Sequence, residues 1–343
     1  ISHKSIPVLQ ALLTGIALAC SGALAQDSTR PDLEGIWTNA SLTNLNRPNY
    51  ADSLVVSAEE ARVIAARTPI AGIEGGLDEG DSTNDTPEEG ADDFGVRAYN
   101  NFWVAPGSNL ALVKGEFRTS YIVNPENGRV PWRENPQFDF ERVNFGSRYA
   151  TGLGEFGGPE AFPNSERCLI GFGNKAGPGM MGALYNNTYQ FVQTEDYVMI
   201  LVEMVNDARV IPVYDSPEEA RANRRPAVHE PWFGDSVGWY EGDELVVETI
   251  NIKPLQLSQS SVPVTKDGRI IERFSRYSDD EIFYSFHVED DNLYTQPWTA
   301  ELSFYATDDR LYEYACHEGN YSMPGSLAGA RRLELEQELG RSD

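Results

Sequence analysis

The stretch RIIERFSRYSDDEIFYSFHVE, residues 269–289, reads as two β-strands joined by an acidic turn at Asp279-Asp280. In its second half Ile282, Tyr284, Phe286 and Val288 fall on one face of an extended chain, and Phe283, Ser285 and His287 on the other. Successive side chains of a strand point to opposite sides, so this alternation marks one buried and one more polar face. The same punctuation continues on both sides. Ser236–Tyr240, Leu245–Ile250, Trp298–Tyr305 and Leu311–Cys316 are strand-like, separated by Glu241-Gly242-Asp243, Asp267-Gly268 and Asp308-Asp309. Short, evenly spaced strands with tight turns and few helices predict an antiparallel barrel, with a β-sandwich as the alternative.

Further upstream, Phe117–Val123 alternates and runs into Asn127-Gly128, a hairpin-turn dipeptide. Thr188–Gln193, Tyr197–Glu203 and Arg209–Val213 extend the strand pattern. Two short helices interrupt it. Ser57–Arg67 opens with the capping pair Ser57 and Glu60, and Ser216–Arg225 opens with Ser216, Pro217 and Glu219. Residues 72–95 form an acidic, glycine-rich loop whose carboxylates offer calcium ligands without the spacing of a known calcium loop. Residues 134–183 are rich in glycine, proline and aromatics, and an irregular segment of that length inside a compact domain is usually functional or a cover. No βαβ alternation is visible. The chain divides into a leader (1–25), an N-terminal extension with one helix and the acidic loop (26–115), and an antiparallel β domain (116–343), the last two forming one compact unit.

The leader reads as a Sec-type secretory signal peptide: Lys4, then the apolar run Val8–Ala19, then Ala23-Leu24-Ala25 as a cleavage site. A lipoprotein signal ending at Cys20 is the weaker alternative. The apolar run is too short to span a membrane. The expected location is therefore periplasmic or secreted. The chain carries 53 acidic and 27 basic residues, a net charge of −26. Such a surface excludes nucleic acid and anionic membranes as partners, since both need a positive face. In an oxidising compartment the two cysteines beyond the leader, Cys168 and Cys316, are a plausible disulfide.

Three clusters carry chemistry-bearing side chains. Cys316-His317-Glu318-Gly319-Asn320-Tyr321 is the densest. His317 would act as general acid or base, with Glu318 as a carboxylate and Asn320 and Tyr321 holding substrate. Glu203-Met204-Val205-Asn206-Asp207-Ala208-Arg209 is the second, with Glu203 and Asp207 as carboxylates and Arg209 as a grip for an anionic or hydroxylated ligand. His287 and Trp239 are further ligand-contact candidates. The third cluster, Gly234-Asp235-Ser236-Val237-Gly238, matches the G-x-S-x-G nucleophile pattern, but a strand, a turn and another strand follow it instead of a helix. Zinc, c-type haem and nucleotide-binding motifs are absent, so no metal and no cofactor is predicted.

Pro31–Asn39, Arg167–Phe172, Gly234–Thr249 (GDSVGWYEGDELVVET) and Tyr312–Tyr321 (YEYACHEGNY) resemble an abundant group of exported, β-rich bacterial proteins. That resemblance implies export and a shared fold, and carries no activity onto named residues. Gly35-Ile36-Trp37 is similar to the entry of lipocalin-like barrels into their first strand, which implies a lipocalin-like barrel with long loops and two or three short helices. The expected function is an exported enzyme using acid–base chemistry on a small organic or carbohydrate substrate: a lyase, hydratase, isomerase or hydrolase. The alternatives are a periplasmic binding protein for an apolar ligand, which requires a roomy pocket, and a serine hydrolase using Ser236.

Overall fold

The computed structural model describes residues 30–68, 107–136, 157–171, 173, 175–253 and 260–340. The leader, the acidic loop 72–95 with its calcium reading, and the middle of the 134–183 segment lie outside the described residues.

The protein is a closed β-barrel. Its staves are β1 (Gly35–Thr38), β6 (Thr188–Gln193), β7 (Tyr197–Val202), β8 (Ala208–Tyr214), β9 (Asp235–Glu241), β10 (Glu244–Ile250), β11 (Arg269–Ser278), β12 (Glu281–Glu289) and β13 (Trp298–Ala306), each bonded to the next. Closure comes from β1, which pairs with β6 on one side and with β13 on the other, setting Trp37 opposite both Tyr189 and Ala306. A stave from the segment read as an N-terminal extension thus completes the barrel. A tenth strand, β5 (Ile122–Asn124), lies along β13. A separate small sheet joins β2 (Val55–Val56), β4 (Glu116–Arg118) and β3 (Leu112–Val113). Helix α1 (Ala58–Ala65), with its capping box at Ser57 and Glu60, buries Ala61, Ile64 and Ala65 beside it against Leu42, Ala51 and Leu110.

The side-chain alternation in β12 holds, with Ile282, Tyr284, Phe286 and Val288 inside and fully buried. Neighbouring staves add Trp37 and Tyr189, Phe191, Phe274, Trp298 and Phe304, and the rings of these last five meet those of β12 or one another at centroid distances of 4.7–5.9 Å. These side chains fill the interior as a packed core. Replacing one such ring by Ala costs ~3–5 kcal/mol.

Three expectations are corrected. The barrel is mixed: β8 and β9 run parallel, with Val213 opposite Gly238. A parallel pair needs a crossover, and residues 215–234 supply it through helix α2 (Pro217–Ala222), which packs Ala220 on the outer-face residues Val237, Trp239 and Val246. Asn127-Gly128 is a turn closed by the Gly128 amide on the Pro125 carbonyl, and β4 and β5 before it belong to different sheets, so no hairpin forms there. Residues 311–316 are not a strand. Their amides find side-chain acceptors instead of a ladder, and the chain continues into helix α3 (Ser322–Glu338), none of whose residues is buried. Among the described residues no helix is long and apolar enough to cross a membrane.

Candidate active site at the strapped end of the barrel

Two stretches, 163–171 and 175–187, pack on the barrel at the β7–β8 turn and over Tyr284. The second begins Lys175-Ala176-Gly177-Pro178-Gly179-Met180-Met181 and sinks Ala176, Met180 and Met181 into the core. Two amides, of Gly179 and Met180, donate to the Tyr284 hydroxyl at 3.0 and 3.1 Å. Tyr284 donates in turn to Glu272 at 2.7 Å, and Arg209 grips the same carboxylate with both terminal nitrogens at 2.8 and 3.0 Å. Glu272 is fully buried and Arg209 is 3% exposed. Burial and the Glu272 carboxylate hold the Tyr284 hydroxyl well above the usual tyrosine range, so it stays a donor. Gly177 has φ +94°, and a Cβ there would lie 2.6 Å from the Arg209 Nη1. Only glycine lets the backbone rest on the guanidinium.

The turn between β7 and β8 lies under the first of these stretches. A short 3₁₀ turn at Met204–Asn206 follows Glu203, and both Val205 (φ 59°) and Asn206 (φ 51°) are left-handed. For a β-branched residue such as Val205 this conformation is a strained outlier, a feature that concentrates at functional sites. The Asp207 carboxylate accepts from the Gly171 amide at 2.6 Å. Burial raises its pKa to about 6 against the pull of that amide. Lys175 is 1% exposed and donates to the Asn187 side-chain oxygen. Burial lowers its pKa to about 7, with Glu203 nearby opposing the shift.

The C-terminal segment is the third component. The Tyr312 amide donates to Glu203 at 3.2 Å and the Tyr314 amide to Asn206 at 3.0 Å. Asn320 donates to the Glu166 carbonyl, and Cys168 and Cys316 are joined by a disulfide with their Cα atoms 5.8 Å apart. Its 148-residue separation is worth ~4–5 kcal/mol in the chain-entropy account.

Of the residues singled out from sequence, Glu203, Asp207 and Asn320 come together here. Arg209 is near by, but its partner is Glu272 inside the barrel, and neither carboxylate of its own turn. His317, Glu318 and Tyr321 lie exposed on the turn that follows the disulfide. His287 and Trp239 are elsewhere, on the outer wall. His287 bonds Thr299 at 2.9 Å, and Trp239 donates to Glu241 under α2. Ser236 is the second residue of β9, its hydroxyl 2.8 Å from that of Thr249, and the strand runs on from it to Glu241 where a nucleophile turn would lead into a helix.

Sequence reasoning passed over Lys175, Asn187 and Glu272. Glu272 had a readable signal, since it interrupts the apolar row Ile270 and Phe274 in β11. Lys175 had none beyond its place in the irregular segment. Among the described residues no group of three or more His, Cys, Asp or Glu side chains is arranged to hold a metal ion. Comparison with family models, with curated proteins and with solved structures finds no match.

Proposed function

We propose that the protein is an exported enzyme that performs acid–base chemistry on a small organic or carbohydrate molecule at the strapped end of the barrel. The observation that carries this reading is the meeting of three sequence-distant segments, 166–171, 203–209 and 312–320, on the turn that bears the half-buried carboxyl of Asp207. A carboxyl raised to about 6 and an amine lowered to about 7 bring two proton carriers into the working range of one active site. Asp207 is the group that exchanges a proton with substrate. Lys175 and Glu203 set the charge beneath it. His317 and Glu318, on the turn fixed by the disulfide, stand at the rim as a second acid–base pair. The chemistry needs no nucleotide.

Export is supported by the leader's three-part pattern and by a disulfide, which persists in oxidising compartments. Storage of an apolar ligand inside the barrel is disfavoured by an interior already filled with aromatic rings.

The test follows solvent deuterium into a panel of hydroxy acids and sugars by NMR, a readout for any lyase, hydratase or isomerase. A base at Asp207 loses activity as pH falls through about 6. Asp207→Asn is expected to cut turnover ~10²-fold or more and remove the acid limb. His317→Ala is expected to lower it by a smaller factor. Unchanged turnover in Asp207→Asn overturns the assignment.

A further inference from the structure

A cleft of about 630 Å³ opens beside the barrel, away from the Asp207 site. One wall is the continuous run Thr43-Asn44-Leu45-Asn46-Arg47-Pro48-Asn49, and Tyr121, Arg129, Met181, Gly182 and Ser261 complete it. The volume falls within the range of small-ligand sites.

The run is held in place by its backbone. Arg47 N donates to the Gly128 carbonyl at 2.8 Å, and the Tyr121 and Ile122 amides donate to the carbonyls of Asn44 and Leu45. The Asn46 side-chain oxygen accepts from the Val130 amide at 2.8 Å, and the Asn49 oxygen accepts from Arg129. Each of these amides also carries an NH₂ group with two donors. Arg47 and Arg129 form no ion pair among the described residues. The buried Nε of Arg47 has no hydrogen-bond partner among them either. In a chain with 53 acids and 27 bases, two guanidinium groups without a carboxylate, facing a cleft lined by amide donors, form a local positive site in a negative surface. Such an arrangement matches an acceptor-rich oxyanion, because guanidinium forks and amide NH₂ groups all donate.

We infer that this cleft binds a small hydroxylated carboxylate of the sugar-acid class, with Arg129 and Arg47 on the carboxylate and the asparagine amides on the hydroxyls. The site is independent of the proton-transfer site proposed above, so equilibrium binding tests it without reference to turnover.

The experiment is calorimetric titration of the full chain with galacturonate, alongside neutral galactose and inorganic phosphate. Galacturonate is expected to bind, with affinity falling as salt rises, and at least about tenfold more tightly than galactose, the ratio set by a charge-assisted hydrogen bond. Arg129 is the gentler position to change. Arg129→Gln is expected to weaken galacturonate about tenfold or more, and Arg129→Lys, which keeps the charge but loses the planar fork, to fall between the two. An unchanged melting temperature certifies that each variant folds. Galactose binding as tightly as galacturonate, phosphate binding more tightly than galacturonate, or an Arg129→Gln affinity equal to that of the parent overturns the inference. So does the absence of galacturonate binding at about 10 mM ligand, where even a weak site is occupied.

Discussion

Glu248 and Glu272 sit on adjacent staves one register step apart: Val247 pairs with Glu272, and Glu248 with Ile271. One carboxylate therefore points out of the barrel and the other in, and both are buried and bound to arginine. The outer one, Glu248, is held by Arg221 and Arg224, with Arg269 3.8 Å away, and two of these three guanidinium groups reach solvent. The inner one has Arg209 as its one cation, with the Tyr284 hydroxyl as its other donor. The same residue type thus serves two purposes. Outside, it fastens α2 to the β9–β10 wall across the parallel crossover. Inside, it anchors the segment that closes one end of the barrel.

The largest effect should come from breaking the inner pair. Glu272→Ala leaves a guanidinium buried and unpaired, and ~3–5 kcal/mol of stability is expected to vanish in urea unfolding. The double change Arg209→Met with Glu272→Leu should recover most of that loss, since a buried ion pair contributes little net stability beyond an apolar replacement. If the double variant is no more stable than the single one, the unpaired guanidinium is not the source of the loss.

Gly177→Ala comes next. The added methyl must displace a guanidinium pinned by two hydrogen bonds, and the backbone must hold a positive φ. A loss of ~1–3 kcal/mol is expected, together with faster hydrogen exchange at the Gly179 and Met180 amides, which read the seating of the segment directly.

Glu248→Gln should cost less, ~1–2 kcal/mol, because its arginines can turn to water. Burial pushes the Glu248 carboxyl up, but the hydrogen bonds from Arg221 and Arg224 outweigh it and hold the group below the ordinary range. A carboxyl with a lowered folded pKa contributes stability above its unfolded value and loses it as pH falls through the folded one. The difference between parent and Glu248→Gln should therefore shrink on acidification below about pH 4.5. Lys175 has the opposite sign. Its depressed pKa means that stability present in alkali is lost as pH falls towards about 7, so Lys175→Met should raise the melting temperature more at pH 6 than at pH 9.

The smallest effect is the response to salt. The half-exposed pairs of Arg273 with Glu241 and Glu244 contribute ~0–1 kcal/mol each and are screened, whereas the inner pair is shielded from added ions.

How far the sequence carried can be followed residue by residue. The alternation of Ile282, Tyr284, Phe286 and Val288 correctly placed the buried face of a barrel stave, because a strand's period of two is a local property of the backbone. The capping pairs of both short helices were equally local. The strand expected at Leu311–Cys316 did not form. Its apolar–polar pattern is compatible with a ladder, but Glu203 and Asn206 offered the Tyr312 and Tyr314 amides side-chain acceptors instead. At the candidate site, Glu203, Asp207 and Asn320 were legible as chemically capable residues. The nearness of Glu203 to Lys175 was not, since nothing in a sequence encodes proximity across 28 positions.

By itself, then, the sequence determined the β-class of the chain, the faces of its staves and the starts of its short helices, all set by interactions within a few residues. Only the tertiary structure decided that Gly35–Thr38 closes the barrel, that β8 and β9 run parallel, that Cys168 meets Cys316, and that Arg209 turns inward to Glu272 and away from its neighbour Asp207. Each of these joins residues far apart along the chain, and each depends on how the barrel closes and fills as a whole.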